Sequence, residues 1–384
     1  MLFGKPWCIK VIRRPEKLAQ NIEEVSSRQV ENVTNMKTRW IDMFVDSGKF
    51  LQKGLKMISQ VRPIIPVIGI LFFIFLAGIA TFVYATSVAP VVATIQVGNN
   101  PTDAAVNPVT NRFYVANFGS NAVWVMDGNN FNVYARIPVA SNPVTSAVNS
   151  NTNRIFVASD YGRAITVLDG GTNTVLNTIP AGRNPTGIAL NPNTNRVFAA
   201  MYLDNTLWVI DGSTYAVLAK IPVGSTPIGV AVNSVTNRVY VANYGSNSVW
   251  VLDGTTYNIL SKISVGLNPR GITVNPNTNR IYVSMSGEKT VWVIDGSTNT
   301  VLPITPIPVG NDPRRISINL NTSHMFVSNT NDGTVTEIDI NTNTVIGTII
   351  VGSLPRGGNV NPNTNQIYIT NSGTNTISIL QDSN

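Results

Sequence analysis

Gly187-Ile188-Ala189-Leu190 runs into Asn191-Pro192-Asn193-Thr194-Asn195, then Arg196-Val197-Phe198-Ala199-Ala200. Leu207-Trp208-Val209-Ile210, Asp211-Gly212-Ser213-Thr214 and Ala216-Val217-Leu218-Ala219-Lys220-Ile221 follow. Four short runs alternate with three turns. The later runs are filled with β-branched, aromatic and other apolar residues, as strands require. The first run is small and apolar, which suits an innermost strand lining a crowded channel. Asn191–Asn195 is rich in residues that hydrogen-bond their own backbone or pre-set φ. Asp211-Gly212 marks a hairpin. One unit is therefore a four-stranded antiparallel sheet.

The unit repeats through everything after residue 90. Seven prolines follow (Val/Ala)-Gly-x-Asn or a variant of it: Pro101, Pro143, Pro185, Pro227, Pro269, Pro313 and Pro355, spaced 42, 42, 42, 42, 44 and 42. A period of about 40–45 residues with four strand signals per unit predicts propeller blades, seven of them. The last unit stops after its third strand, Thr376-Ile377-Ser378-Ile379-Leu380. The stretch Val91-Val92-Ala93-Thr94-Ile95-Gln96-Val97-Gly98 matches the outer strand Val217–Gly224. It is expected to complete the last blade, which closes the ring and removes a sheet edge.

The phrases Tyr114-Val115-Ala116-Asn117, Tyr240-Val241-Ala242-Asn243 and Tyr368-Ile369-Thr370-Asn371 lie in second strands. With the Asn-Pro-x-Thr-Asn-Arg turn and the Asp-Gly hairpin, residues 89–384 resemble the bacterial and archaeal YVTN β-propeller repeat family. The resemblance implies a seven-bladed propeller of cell-surface type. The wider superfamily includes lactonases and quinone- or haem-linked enzymes, so it leaves the chemistry open. The WD40 pattern is different: no Gly-His pair precedes the strands, and Trp124, Trp208, Trp250 and Trp292 lie mid-strand.

The chain of 384 residues carries a net charge of +7. Residues 1–62 hold 12 Lys/Arg and 6 Asp/Glu, a net of +6, which leaves +1 for residues 63–384. The basic excess is thus local, and nucleic acid is not an expected partner. From Ile64 to Thr86 the chain is apolar, and no charge occurs between Arg62 and Asp103. Twenty-three residues at 1.5 Å rise span roughly 34 Å, enough for a hydrocarbon core. Val83-Tyr84-Ala85 could serve as a signal-peptidase site, but the region before the apolar run is too long for a signal peptide. An uncleaved anchor over 63–87 is expected, in a single-pass membrane protein. Lys49, Lys53, Lys56 and Arg62 crowd its N-terminal side, which places the N-terminus in the cytoplasm and the propeller outside the cell. Residues 1–62 read as a basic, partly helical segment. It could lie on anionic lipid, dock a protein, or simply fix topology.

The hairpin face repeats from blade to blade, and Asp127, Asp169, Asp211, Asp253, Asp295 and Asp339 there are turn residues. The opposite face differs between blades, so a specific function is expected on it. Its loops carry Phe118, Tyr161, Tyr202 and Tyr244. Beside the channel come Arg270, Arg314, Arg315 and Arg356, with Asp103 and Asp312 nearby. Convergent guanidiniums suit an anion, and the aromatics suit sugar rings or other flat groups. The plainer reading puts the arginines in surface ion pairs and the tyrosines in loop packing.

No catalytic constellation emerges. The single histidine, His324, takes the place that Arg holds in blades 1–5, and the single cysteine, Cys8, precedes the repeats. Zinc, copper or haem ligation of the usual kinds is therefore not expected, nor is any cofactor, and calcium from Asn and Asp loops is only weakly signalled. No phosphate-binding loop occurs. The reading is a membrane-anchored surface propeller that binds a cell-wall glycan, an anionic polymer or a surface protein. The alternative is an outward-facing propeller hydrolase or lactonase, using a carboxylate among Asp103, Asp160, Asp204, Glu288, Asp312 and Asp332.

Overall fold

The computed structural model describes residues 88–383. They form seven antiparallel sheets arranged as the blades of a β-propeller. The predicted segments 1–62 and 63–87 lie outside the described residues. Among the described residues no helix is long and apolar enough to cross a membrane.

Blade 3 shows how the unit is built. Its strands are β10 (Pro185–Asn191), β11 (Arg196–Met201), β12 (Thr206–Asp211) and β13 (Val217–Pro222), paired in that order. The turn between β10 and β11 ends on Asn195 at φ 50°, and the same place is held by Asn111, Asn153, Asn237, Asn279 and Asn365 at φ 50–54°. Asn tolerates this left-handed conformation better than other non-glycine residues, so its recurrence follows from the backbone. At the β12–β13 hairpin, Asp211 Oδ1 accepts from the N–H groups of Ser213 and Thr214, each at 2.9 Å. The outer strand then shifts register between Val209 and Ile210, and the same bulge recurs between Val251 and Leu252. Such bulges increase strand twist, which a blade requires.

Blade 7 is completed from the other end of the chain. β1 (Val91–Gln96) pairs antiparallel with β29 (Thr376–Gln381), in the sheet order β1-β29-β28-β27, where β28 is Gln366–Asn371 and β27 is Pro355–Asn361. β27 in turn lies beside β2 (Pro101–Asn107), the inner strand of blade 1, so the ring closes. Blade 5 is irregular. Its outer edge is split into β21 (Thr300–Val301) and β22 (Ile307–Pro308). Pro303 and Pro306 lie between them, and proline cannot donate to a ladder. This is where the 44-residue spacing arises.

The core lies between blades. Phe198 and Val209 of blade 3 pack with Val239, Val241 and Leu252 of blade 4, all essentially inaccessible. Each fully buried side chain of this size stabilises the fold by about 1.5–3 kcal/mol. Asparagines fasten the hairpin-face ends of the inner strands. Asn107 donates to Asn153, Asn149 to Asn195, Asn191 to Asn237, and Asn233 to Asn279, at 2.7–2.8 Å. Asn319 donates to Asn365, and Asn361 to Asn111. At the seam of blades 5 and 6 the acceptor position is Ser323.

Candidate functional site

The axis of the ring opens into a cavity of about 330 Å³ at the end where the inner strands begin. All seven inner strands line it within three residues of their prolines. Thr102, Thr145, Gly187 and Gly229 supply small or polar walls from blades 1–4. Arg270, Arg314, Arg315 and Arg356 supply the wall from blades 5–7. The glycines are required by the crowding here: a β-carbon on Gly187 would collide with the Ile228 carbonyl oxygen.

Two carboxylates contact three of the four guanidiniums. Asp312 takes Arg270 Nη1 at 3.4 Å and Arg314 Nε at 3.0 Å. Asp103 takes Arg315 Nη2 at 3.1 Å and is itself buried, accepting from Ser146 N at 2.7 Å. Asp103 therefore orients Arg315 from behind the wall and does not line the cavity. Arg356 makes no ion pair among the described residues, and its Nε is buried without a hydrogen-bond partner. Burial, then the neighbouring Arg314 charge, pushes the Arg356 guanidinium below its usual range. Burial and Arg314 act likewise on Arg270, bringing it down to about 10 against the opposing pull of Asp312. Both groups stay charged at neutral pH, in surroundings that disfavour the charge.

Of the four aromatic residues singled out from the sequence, two reach the cavity. Phe118 and Tyr161 line it and meet edge-to-face with centroids 6.4 Å apart. Tyr161 is 70% exposed, so its ring is free to meet a ligand. Tyr244 stands behind Arg270, whose guanidinium lies 6.0 Å from its ring centroid. Tyr202 is half-buried and does not line the cavity. Asp160 does line it. Its Oδ1 is buried without a partner, and burial pushes the carboxyl above its usual range.

The hairpin face carries the ordinary turn chemistry. Arg154, Arg196 and Arg238 pair with Asp169, Asp211 and Asp253 of their own blades at 2.8–3.1 Å. Arg112 instead donates to the Gly170 carbonyl of the next blade at 3.0 Å and lies 4.4 Å over the Tyr134 ring. The exception is His324, which meets Glu337 and Asp382. Glu337 and Asp382 were passed over in the sequence. The signal for both was departure from the repeat: Glu337 stands where the other blades have Val125, Val167, Val209, Val251, Val293 and Ile379. Asp382 stands where blades 1–5 have Gly128, Gly170, Gly212, Gly254 and Gly296.

The NHL repeat family matches residues 225–252, which hold three strands of blade 4. No curated protein matches the chain. Among solved structures, the Kuenenia stuttgartiensis hydrazine synthase is similar over 74% of this chain and 96% of that one, with a TM-score of 0.67 and 15% identity. At that identity the likeness is one of fold. The chain is a β-propeller repeat protein.

Proposed function

We propose that this chain is a membrane-anchored, cell-surface propeller of the YVTN type that binds anionic ligands in the axial cavity. One observation carries the reading: four guanidiniums line the cavity, three of them are paired with Asp103 or Asp312, and Arg356 makes no ion pair among the described residues. A half-buried guanidinium with an unpartnered Nε and no ion pair is costly, and a carboxylate, sulfate or phosphate between Arg270 and Arg356 would offset that cost. Exposed Tyr161 beside Phe118 offers a flat surface for a sugar ring. An acidic cell-wall glycan satisfies both halves of the cavity. The anchor reading rests on the apolar run 64–86 with its preceding basic residues.

The test uses the full chain in mild detergent with polygalacturonate and inorganic polyphosphate as probes. Arg356→Ala and Arg270→Ala are each expected to weaken binding roughly 10- to 100-fold, the loss of one or two charge-assisted hydrogen bonds. Affinity is expected to fall with added salt. Affinity in both variants equal to that of the native chain overturns the reading.

Asp160 favours a second reading, an outward-facing hydrolase or lactonase. A carboxyl raised by burial inside a cavity can act as a general acid. Turnover of a lactone or glycoside that Asp160→Asn abolishes, with binding intact, would establish it.

A further inference from the structure

On the hairpin face, at the seam where blade 7 meets blade 6, three departures from the repeat converge. His324 opens β24 (His324–Asn329), Glu337 lies in β25 (Thr334–Asp339), and Asp382 follows β29. His324 Nδ1 stands 2.8 Å from Asp382 Oδ1 and 3.1 Å from Glu337 Oε1. The Glu337 and Asp382 side chains are each only 1% exposed. In blades 1–5 these positions hold Arg, Val and Gly, a set that cannot bind a metal.

Each carboxylate is held from behind. Glu337 Oε2 accepts from the Ala89 N–H at 2.7 Å. Asp382 Oδ2 accepts from Asn319 Nδ2 at 2.8 Å and from the Thr322 hydroxyl. One oxygen of each group is thus spent on orientation, and the other points at a common centre with the imidazole nitrogen. Outer hydrogen bonds that aim inner ligands in this way are characteristic of metal sites. The charge balance points the same way. Two buried carboxylates face one imidazole, and no Lys or Arg forms an ion pair with either among the described residues. A divalent cation would neutralise the excess.

The geometry points to a structural divalent-metal site formed by His324 Nδ1, Glu337 Oε1 and Asp382 Oδ1, with an ion of the zinc class clamping the closing seam of the ring. Ligand bonds of about 2.0–2.2 Å in a tetrahedral site put ligand atoms roughly 3.3 Å apart, a few tenths of an ångström wider than found. One imidazole with two carboxylates suits Zn²⁺ or Mn²⁺ rather than a soft copper site. The ion would tie blade 6 to the last residues of blade 7. Through Ala89 it would also tie in the segment that leads into β1. It thus sits where both ends of the propeller meet.

The experiment uses the full chain without a polyhistidine tag, stripped with chelator and titrated with Zn²⁺ and, separately, Mn²⁺. His324 is the only histidine in the chain, so ¹⁵N-histidine labelling reports this imidazole alone. The expected results are one ion per chain, a shifted imidazole signal on Zn²⁺ addition, and a thermal midpoint raised by roughly 5 °C at a hundredfold excess over Kd. The triple variant H324R/E337V/D382G restores the repeat residues and is expected to fold, bind no metal and show no midpoint shift. Glu337→Gln keeps an acceptor for Ala89 and is expected to weaken metal binding at least tenfold. It carries the test if the triple variant does not fold. Zn²⁺ and Mn²⁺ responses that are the same in the native chain and the variants overturn the site and leave a proton-bridged cluster in its place.

Discussion

At the residue scale the repeat is written by backbone conformation. The position before each blade proline is left-handed, with Asn100, Asn142, Asn184 and Asn268 at φ 50–59°. Leu354 holds the same conformation at φ 52° and is exposed. A γ-branched apolar side chain gains nothing there and bears the steric cost of αL. Leu354→Asn should therefore stabilise the propeller by about 0.5–1 kcal/mol, read as a higher denaturation midpoint. Tyr215 and Tyr257 also sit at positive φ, but there the cost is offset: they pack edge-to-face on Phe156 and Phe198 of the preceding blades. The hairpin aspartates make a different prediction. Backbone hydrogen bonds at the turn, with smaller help from Arg196 and Arg238, hold Asp211 and Asp253 below the usual carboxylate range. A depressed folded value contributes stability above the unfolded pKa of about 3.9 and loses it as pH falls through the folded value. Asp211→Ala should cost about 0.5–1.5 kcal/mol at pH 7 and progressively less as the pH is lowered below the unfolded value, measured by urea unfolding across that range.

At the element scale, the pattern of apolar runs predicts each strand, and the turn residues predict each connection. The one irregular element, the split edge of blade 5, is also visible in the sequence as Pro303 and Pro306 within an outer-strand position. β1 is the element on which the others most depend. It covers the β29 edge and leads back through Pro90, Ala89 and Val88 to blade 6, where a β-carbon on Gly347 would collide with Val88. Deleting residues 91–96 should leave the outer edge of β29 unpaired while β28 still pairs with its inner edge. The expected outcome is a lowered thermal midpoint together with edge-driven association, seen by light scattering.

At the scale of the whole molecule, seven units of about 42 residues bury their faces only against one another, so the ring is stable when closed and not before. Both sites depend on that closure. The axial cavity exists because seven inner strands converge, and no single blade contains it. Arg270 and Arg356 are 86 positions apart in sequence, from blades 5 and 7. Their approach to one side of the channel follows from the blade count and was legible once that count was known. The partition of the aromatics was not legible: Tyr161 reaches the cavity and Tyr202 does not, because loop direction is set by local packing. Asp103 was legible as a neighbour of the arginines but not as a buried support.

The sequence by itself determined the blade, the number of blades and the strand that closes them, because strand periodicity and turn chemistry are local properties repeated seven times. It also determined which face varies. Only the tertiary structure decided which guanidinium of the cavity makes no ion pair, and that His324, Glu337 and Asp382 meet. Those facts depend on contacts between blades, and a seam between two blades joins residues whose separation along the chain carries no periodic signal.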